Sequence, residues 1–427
     1  MALKSSSSYQ EIWIMTTLDM PSSPANPEIF FHVVSIDEAV DIIKEITKQT
    51  SSETIAIDDA DEGVLAEPII TLENIPGFEK SWKDGYAVCA IETHAASESS
   101  PVILSLVGSI DMGKTTLQQI KPGECIYVPT GGQIPEGADA VVMIEYAEVI
   151  GEKVLIRQPA VMRENIIAKD EDFAQGTTIY PIGHTLRPQD IGVLAAIGKP
   201  YVSIRKRPRI GIISTGIELV PAEANPAIGE IRDVNSHLIT IFLKRQGAIP
   251  VRYGIVRDNR EELIDAIDVA SRECDAVIVS GGSSKDRNDV TFHAIEALGT
   301  VLVHGISIAP GKPTIIGKCN EIPVIGLPGH PVSTCMVMSL VVTHLIQGMK
   351  GTPSQPIATQ TCKMATDLKL EVGKEQYIRV KVENGMATPI LGKSGLLNTV
   401  IHSDGIIHLS PNKEGLVKGE EVEVRLW

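Results

Sequence analysis

Closely spaced cysteines are absent from this sequence of 427 residues. The six cysteines are scattered along the chain, at Cys89, Cys125, Cys274, Cys319, Cys335 and Cys362. Zinc sites and disulfide frameworks use cysteines at short, recurring spacings, and no such spacing occurs here. The pattern argues against both kinds of site and favours a reducing compartment, so we expect a cytoplasmic protein.

The sequence also lacks a long apolar run and an apolar N-terminal signal. A membrane-spanning helix needs about 20 predominantly apolar residues. The most apolar run, Cys335 to Ile346, is roughly half that length and contains His344. The start of the chain carries Lys4, a serine cluster and acidic side chains, unlike a secretory signal. We therefore expect no membrane association.

The sequence also has fewer basic than acidic residues. The chain has 54 acidic and 38 basic residues, which gives a formal net charge of −16. Such a chain repels the phosphate backbone of a nucleic acid, and this excludes non-specific nucleic-acid binding as a default. A ligand that resembles a nucleotide would need a local binding site.

The length and the changing pattern of the sequence indicate several domains, because 427 residues exceed one ordinary core. Short β-branched runs between Pro-Gly and Gly-Gly turns predict β domains, whereas alternating strands and helices predict an α/β domain. The predicted division is a disordered extension at 1–29, a discontinuous helical and extended linker domain at 30–72 and 165–199, an inserted β domain at 73–164, a doubly wound α/β domain at 200–351 and a C-terminal β domain at 352–427.

The α/β domain is predicted to contain a parallel sheet, since its strands alternate with helices of roughly 10 to 15 residues. The predicted strands are Arg209 to Ser214, Pro250 to Val256, Ala276 to Ser280 and Pro323 to Leu327. The apolar helix faces are predicted to be Leu238, Ile241 and Phe242 in one helix, and Leu263, Ile264, Ile267 and Ala270 in the next. A further helix is predicted after Ser35, which forms a capping box with Glu38.

Glycine, proline and carboxylate residues collect where these strands end. The predicted strand-end loops are Ser214 to Glu218, Arg257-Asp258, Gly281 to Asp289 and Pro328 to Ser333. In an open parallel sheet, ligands bind beyond the carboxyl ends of the strands, where loop amides and helix N-termini converge. Amides together with carboxylates predict a phosphate ligand accompanied by a divalent cation. These features alone also fit a nucleotidyltransferase or another α/β enzyme that acts on phosphate ligands.

The amino-acid sequences of several loops contain seven short motifs, which occur in a fixed order across the predicted domains. These motifs are Asp84-Gly85-Tyr86-Ala87 after Ser81, Thr130-Gly131-Gly132 before Pro135, Ser214-Thr215-Gly216 with Glu218, Ile231-Arg232-Asp233 with Asn235, Ser280-Gly281-Gly282, Pro310-Gly311-Lys312-Pro313, and Gly326-Leu327-Pro328-Gly329 with Pro331 and Ser333. In order and spacing they resemble the signature of the MoeA/gephyrin E-domain family, from about residue 35 to the C-terminus.

The resemblance implies an elongated homodimer in which the inserted β domain of one subunit completes the cleft on the α/β domain of the other. It implies a molybdenum insertase that takes adenylylated molybdopterin and molybdate, cleaves the phosphoanhydride and releases AMP, with Mg²⁺ as the cation. The expected partners are the molybdopterin adenylyltransferase and the apoenzymes that accept the cofactor.

The resemblance also implies roles for individual residues. The expected catalytic residues are Asp84, Thr130, Glu218, Asp258 and Asp289. The expected cofactor-binding residues are Thr215, Gly216, Gly281, Gly282, Ser284, Lys312, Pro328, Pro331, Ser333, Arg379 and Ser394. The expected metal ligands are Glu218, Asp258, Asp289 and Asp172.

The sequence departs from the family pattern at several positions. The family's aspartate before Glu218 is Ile217 here, and the glycine two residues before Asp172 is Asp170. Two lysines that many members carry near Lys312 are replaced by Gly305 and Ala309, which removes two cations from an anion pocket. Three other functions are compatible with the sequence: a non-catalytic molybdopterin carrier, a scaffold, and a tungsten insertase.

Overall fold

A computed structural model of the protein describes residues 33–281, 289–353, 358–370 and 373–427. The predicted N-terminal extension at 1–29 lies outside these ranges, as do two of the predicted cofactor-binding residues, Gly282 and Ser284. The described residues form an α/β domain and several β-rich parts.

A six-stranded sheet forms the centre of the α/β domain. Four strands run parallel, in the spatial order Ile249–Val256, Arg209–Thr215, Ala276–Ser280 and Ile322–Leu327. These strands confirm the four predicted from the sequence. Two antiparallel strands that were not predicted extend the sheet, Ile315–Cys319 and Gly299–His304. The second of them follows a helix directly at Gly299, so no loop residues mark its start.

Helices cover both faces of this sheet. They are Ile36–Ile46, Asn235–Arg245, Arg260–Glu273, Val290–Leu298, Pro331–Val337 and Thr343–Lys350, with a π-helical turn Met338–Val342 joining the last two. Short strands Leu219–Val220 and Ile231–Arg232 pair above the carboxyl ends of the sheet strands. Strands and flanking helices thus form the predicted doubly wound arrangement.

The apolar faces of two of these helices were predicted with different success. In Arg260–Glu273 the buried residues include Leu263, Ile267 and Ala270, as predicted. In Asn235–Arg245 the buried residues are instead Asn235, Ser236, Ile239 and Leu243, and Ile241 is 53% exposed. Phe242 of the predicted face does pack against the core, but the prediction was wrong at Ile241. The buried row at positions i, i+4 and i+8 begins with a polar residue, Asn235, which apolar periodicity does not reveal.

The first helix confirms its predicted start and packs on the α/β domain. Ser35 and Glu38 form the capping box, with the Ser35 backbone N–H donating to the Glu38 carboxylate over 2.8 Å. Its buried face, which includes Ile36 and Ile43, belongs to the same apolar core as Ile210 of the sheet. Although the predicted linker domain begins at residue 30, this helix therefore stabilises the α/β domain.

One continuous helical segment, Pro331–Lys350, is apolar and long enough by length and composition to cross a membrane. This segment corrects the expectation that no apolar run approaches the length of a membrane-spanning helix. In the structure 67% of its most apolar 18-residue stretch is buried. Its residues Met336, Val341 and Leu345 lie in the core of the α/β domain, which accounts for the apolar composition.

The inserted domain is a six-stranded β structure with its own apolar core. Its sheet has the order Ala140–Met143, Gly85–Val88, Glu124–Val128, Val102–Ser109, Lys153–Ile156 and Ala147–Ile150. A two-stranded pairing of Lys80–Ser81 with Ile166–Ile167 joins the two ends of the insertion. The predicted β character of this segment is confirmed.

The linker region is built from two separate stretches of chain. Strand Ser52–Ala56 pairs with Tyr201–Arg205, and Ile69–Ile70 pairs with Thr178–Tyr180. Leu194 of the helix Pro188–Ala196 belongs to the same apolar core as Ile69 and Val202. Residues from both sides of the inserted segment therefore share one core.

The C-terminal region forms a closed, barrel-like sheet. Its main strands are Glu375–Glu383, Met386–Pro389, Thr359–Met364, Glu421–Leu426 and Gly405–Leu409. The ring closes because the first of these strands pairs with both Met386–Pro389 and Gly405–Leu409. The smaller elements are strands Leu368–Lys369 and Gly415–Leu416 and helix Asn398–Ile401. A short strand of the α/β domain, Ile308–Ala309, also pairs with the barrel and joins the two domains.

Candidate active site

Two predicted catalytic carboxylates flank the turn that ends the first parallel strand. The Thr215 hydroxyl donates a hydrogen bond to Asp258 over 2.9 Å. On the other side, a side chain at Gly216 would meet the Glu218 carboxylate oxygens at 2.8 and 2.9 Å. The turn therefore holds both carboxylates close to the same backbone, and the glycine makes room for one of them.

The end of the third strand packs directly on this turn. Gly281 has a φ of +102°, and a Cβ atom added there would overlap the carbonyl oxygen of Thr215. The Thr291 hydroxyl donates to the Gly281 carbonyl oxygen over 3.2 Å. Glycine is thus required at residue 281 by backbone conformation and by close approach at once.

This double requirement predicts a large loss of stability for Gly281→Ala. We expect the free energy of unfolding to fall by more than about 3 kcal/mol, because steric overlap adds to the strain of a positive φ. The matched control is Gly254→Ala, since Gly254 has a φ of +89° but no atom within 4 Å of an added Cβ. That variant should lose only about 1 kcal/mol. Equal losses in urea unfolding would contradict the packing of the two loops.

The fourth strand leads into the loop before the core helix. The Pro328 carbonyl oxygen accepts a hydrogen bond from the Thr334 hydroxyl over 2.7 Å, and Pro331 occupies the first helical turn. Ser333 follows in the same turn and is buried. Proline is suited to this position because it needs no hydrogen-bond partner for a backbone N–H. The loop therefore presents a helix N-terminus beside the strand ends.

These loops enclose a cavity of ≈ 460 Å³. Its walls include the predicted site residues Thr215, Glu218, Gly281 and Pro331. Further wall residues are Asn235, from the helix after the second short strand, and Leu397, from the C-terminal domain. The structure thus brings four predicted residues from three separate loops to one cavity.

A second, smaller cavity of ≈ 250 Å³ lies where the barrel meets the α/β domain. It is lined by two predicted residues, Arg379 and Ser394, and by Ala309. Arg379 is only 6% exposed, and burial lowers the pKa of its guanidinium group. One guanidinium nitrogen donates to the Gly392 carbonyl oxygen over 3.2 Å, while Nε has no hydrogen-bond partner among the described residues.

Arg379 is therefore a buried cation with spare donor capacity. No carboxylate among the described residues forms an ion pair with it. A buried guanidinium is costly unless an anion compensates it. Lys312, by contrast, is exposed and follows Gly311, whose φ is +126°. This arrangement suits an oxyanion at Arg379.

The remaining predicted carboxylate of the sheet, Asp289, has a structural role. It caps the helix Val290–Leu298 by accepting from the Phe292 backbone N–H over 2.9 Å. Its other oxygen lies 3.7 Å from Nε2 of His304, and both side chains are buried. The capping contact agrees with its position before the helix, while its catalytic role stays a prediction.

Asp84 and Thr130 meet in the inserted domain. The Thr130 backbone N–H donates to the Asp84 carboxylate over 2.7 Å. The motifs that carry these residues are thus adjacent in space, although 46 positions separate them. Neither residue lines the ≈ 460 Å³ cavity, so the described chain does not by itself unite them with the strand-end loops.

The predicted metal ligands do not form a ready-made cluster. Among the described residues, no group of three or more histidine, cysteine, aspartate or glutamate side chains is placed to hold a metal ion. Asp172 is exposed and lies near Ile75, whose carbonyl oxygen accepts its backbone N–H. Asp258 accepts the hydrogen bond of Thr215, and the Glu218 carboxylate lies against Gly216, the next residue.

Two residues without a predicted role, His330 and Asn235, also lie in the site. His330 lies 2.7 Å from the Ser394 hydroxyl through Nδ1 and so links the fourth loop to the C-terminal domain. Asn235 contacts two loops through its side chain. A signal for Asn235 was present, because it follows the Ile231 to Asp233 motif at a fixed distance.

The strand-end loops form one cavity, and a buried arginine of the barrel domain with spare donor capacity lines a second one. These two cavities define a multidomain α/β protein with a site for an organic ligand and a site for an oxyanion. Comparison with known proteins identifies the family. Residues 34–198 match the MoeA N-terminal region (domain I and II), residues 211–348 a probable molybdopterin-binding domain, and residues 361–427 the MoeA C-terminal region (domain IV).

Individual relatives agree over most of their length. The molybdopterin molybdenumtransferase of Nostoc sp. is 30% identical over 336 residues, covering 78% of this chain and 75% of the relative. That of Bacillus subtilis is 29% identical, covering 92% and 94%. The crystal structure of the molybdopterin biosynthesis MoeA protein from Pyrococcus horikoshii OT3 is 30% identical and matches with a TM-score of 0.82, covering 92% and 100%. The chain belongs to the MoeA family and acts in molybdenum cofactor biosynthesis.

Proposed function

We propose that this protein is a molybdenum insertase that transfers metal from molybdate to adenylylated molybdopterin and releases AMP. The observation that carries the proposal is the buried guanidinium of Arg379, which has no carboxylate partner within the described ranges and lines a cavity of ≈ 250 Å³, large enough for a small oxyanion. The acid-lined cavity at the strand ends provides the neighbouring place for the organic ligand.

Mg²⁺ fits the same site as part of a complex with substrate. This ion is held in proteins by one or two carboxylates together with substrate phosphates and water, so a ready-made cluster is not required. Glu218 and Asp258 are the carboxylates that would hold it, because they flank the Thr215 turn. When bound, the ion would neutralise charge on the phosphoanhydride.

The residues of the chain then have separate tasks. Thr215 holds Asp258 in place through its hydroxyl, and the glycines let the phosphate approach the loop backbone. Arg379 and Ser394 bind the oxyanion, with Lys312 at the rim. The Val332 backbone N–H already donates to the Ser394 carbonyl oxygen, so the helix that begins at Pro331 would stabilise charge on the leaving phosphate through its dipole.

We further propose a homodimer in which Asp84 and Thr130 of one subunit complete the cleft of the other. Their absence from the cavity wall of their own chain supports this arrangement. Mixing Asp84→Ala with Asp258→Asn subunits should restore AMP release, because one cleft in each mixed dimer is intact. Activity that stays at the level of the separate variants would contradict a shared cleft.

The finer description of the protein follows from the same proposal. We infer a four-domain subunit divided at residues 72, 164, 199 and 351, as the sequence predicts, acting in the cytoplasm. Its substrate would come from a molybdopterin adenylyltransferase, and its product would pass to apoenzymes that bind the cofactor.

The direct test is AMP release from adenylylated molybdopterin by the purified protein with Mg²⁺. We expect AMP to appear only when molybdate is present. Comparing AMP release with tungstate and with molybdate shows which metal the site prefers. Tight pterin binding without AMP release under any of these conditions would contradict the insertase and favour a carrier.

The replaced family lysines give a further prediction, at Ala309. This residue lines the cavity of Arg379, so Ala309→Lys adds a second cation there. We expect the affinity for molybdate, measured by calorimetry, to rise by about 10-fold, the value of one charge-assisted hydrogen bond. The control Ala195→Lys adds the same charge at an exposed position of the linker helix. Unchanged affinity in Ala309→Lys would place the oxyanion elsewhere.

A further inference from the structure

The side chain of Asn235 holds two strand-end loops together. Its amide nitrogen Nδ2 donates to the Ser280 hydroxyl over 3.0 Å and to the Gly329 carbonyl oxygen over 2.8 Å. Ser280 ends the third parallel strand, and Gly329 lies in the loop after the fourth. Asn235 itself begins a helix and is only 8% exposed. It is therefore fixed from two sides.

These contacts also determine which way the amide group faces. A backbone carbonyl oxygen can only accept hydrogen bonds, so the atom that faces Gly329 must be the nitrogen. Rotating the amide by half a turn would place two acceptors 2.8 Å apart. The oxygen atom Oδ1 is consequently the other end of the group, and its position is not interchangeable with that of Nδ2.

Oδ1 of Asn235 is buried and has no hydrogen-bond partner among the described residues. Buried polar atoms in folded proteins are nearly always paired, so an unpaired acceptor in the wall of a binding cavity calls for an explanation. Asn235 lines the ≈ 460 Å³ cavity. A ligand that supplies an N–H or O–H donor would satisfy this oxygen.

The rest of the cavity favours the same kind of ligand group. Among the described wall residues, three are carboxylates, Glu218, Glu230 and Asp233, and one is an arginine, Arg232. Arg232 donates through Nε to the Ala224 carbonyl oxygen. These carboxylates, together with Oδ1 of Asn235, favour a ligand group that donates N–H hydrogen bonds, such as the amino group of a heterocycle.

We propose that Oδ1 of Asn235 accepts a hydrogen bond from the exocyclic amino group of a pterin bound in this cavity, and that this contact selects amino-bearing heterocycles. The proposal rests on the proposed function, because it assumes a pterin ligand. It adds an orientation: the amino end of the pterin lies at Asn235, while the anionic groups lie towards the strand-end amides and Arg379.

The test compares two fluorescent heterocycles, pterin and lumazine, which differ in that a carbonyl oxygen of lumazine replaces the exocyclic amino group. Wild-type protein should bind pterin about 10-fold more tightly or better, since lumazine would place an acceptor against Oδ1. In Asn235→Ala the ratio of the two affinities should approach one. Asn235→Ser, which keeps a polar group at the helix start, provides the same comparison if the alanine variant does not fold.

A purely structural role for Asn235 makes a different prediction, because a displaced loop would weaken both probes alike and leave their ratio unchanged. Asn320→Gly is the matched control. Asn320 also donates two hydrogen bonds through Nδ2, to Asp268 and Ser271, and its φ of +46° suits glycine. The affinity ratio of this variant should equal that of the wild type.

The failures of the two proposals can be told apart. Equal binding of pterin and lumazine by the wild type, or a preference that survives in both Asn235 variants, overturns the role of Asn235. Molybdate-dependent AMP release would then still support the insertase. Binding of neither probe also overturns the inference, and the AMP assay alone then decides the proposed function.

Discussion

Asp258→Asn should lower molybdate-dependent AMP release by roughly 10² or more, the scale of losing one electrostatic contact in a transition state. The substitution removes the charge but keeps an oxygen that accepts the hydrogen bond from Thr215, now 2.9 Å long. The fold around the turn should therefore survive, and the melting temperature should stay close to that of the wild type.

The control for this substitution lies at the opposite edge of the sheet. Asp275 accepts a hydrogen bond from the Arg209 backbone N–H over 2.7 Å, and Asn can accept it as well. Asp275→Asn should thus leave both stability and AMP release unchanged. Wild-type turnover in a folded Asp258→Asn protein would remove this carboxylate from the chemistry and leave it only as a partner of Thr215.

Arg379→Met is expected to separate stability from ligand binding. The guanidinium is buried without a carboxylate partner among the described residues, so replacing it by an apolar side chain should leave the free energy of unfolding unchanged or raise it by about 1 kcal/mol. The affinity for molybdate should fall by about 10- to 100-fold, because a charged hydrogen-bond donor to the oxyanion is lost.

Lys381→Met provides the comparison, because Lys381 lies on the same strand but pairs with Glu383 at the surface. This variant should bind molybdate like the wild type. If Arg379→Met unfolds more easily and binds molybdate normally, the guanidinium supports the barrel domain and the oxyanion site lies elsewhere.

The parallel strands and the strand-end loops could be predicted from the sequence because their signals are local. A buried β-branched run followed by glycine marks the end of Arg209–Thr215 as clearly as it does for Ala276–Ser280. The capping box at Ser35 is equally local. Such features depend on neighbouring residues, and one sequence contains all the information they need.

Features that depend on residues distant in the chain could not be predicted from the sequence. The inward face of Asn235–Arg245 begins at a polar residue, and only the contacts of Asn235 with Ser280 and Gly329 explain its burial. Likewise, the contact of His330 with Ser394 joins residues 64 positions apart. Apolar periodicity cannot identify a buried polar residue whose partners come from other loops.

The resemblance to a family predicted site residues that local sequence patterns could not bring together. Arg379 and Ser394 lie in a domain far along the chain from Thr215, yet the structure places them beside the α/β domain through the pairing of Ala309 with Gln376. No periodicity in the sequence predicts that pairing. The geometry then adds what a resemblance lacks, namely that Arg379 is buried and only partly satisfied.

Coupling of phosphoanhydride cleavage to metal insertion is tested most directly by measuring AMP and pterin-bound molybdenum in the same reaction. We expect the two products to form in equal amounts with wild-type protein and to be lost together in Asp258→Asn. Release of AMP without pterin-bound molybdenum, or metal bound to the pterin while the adenylyl group remains, would contradict it.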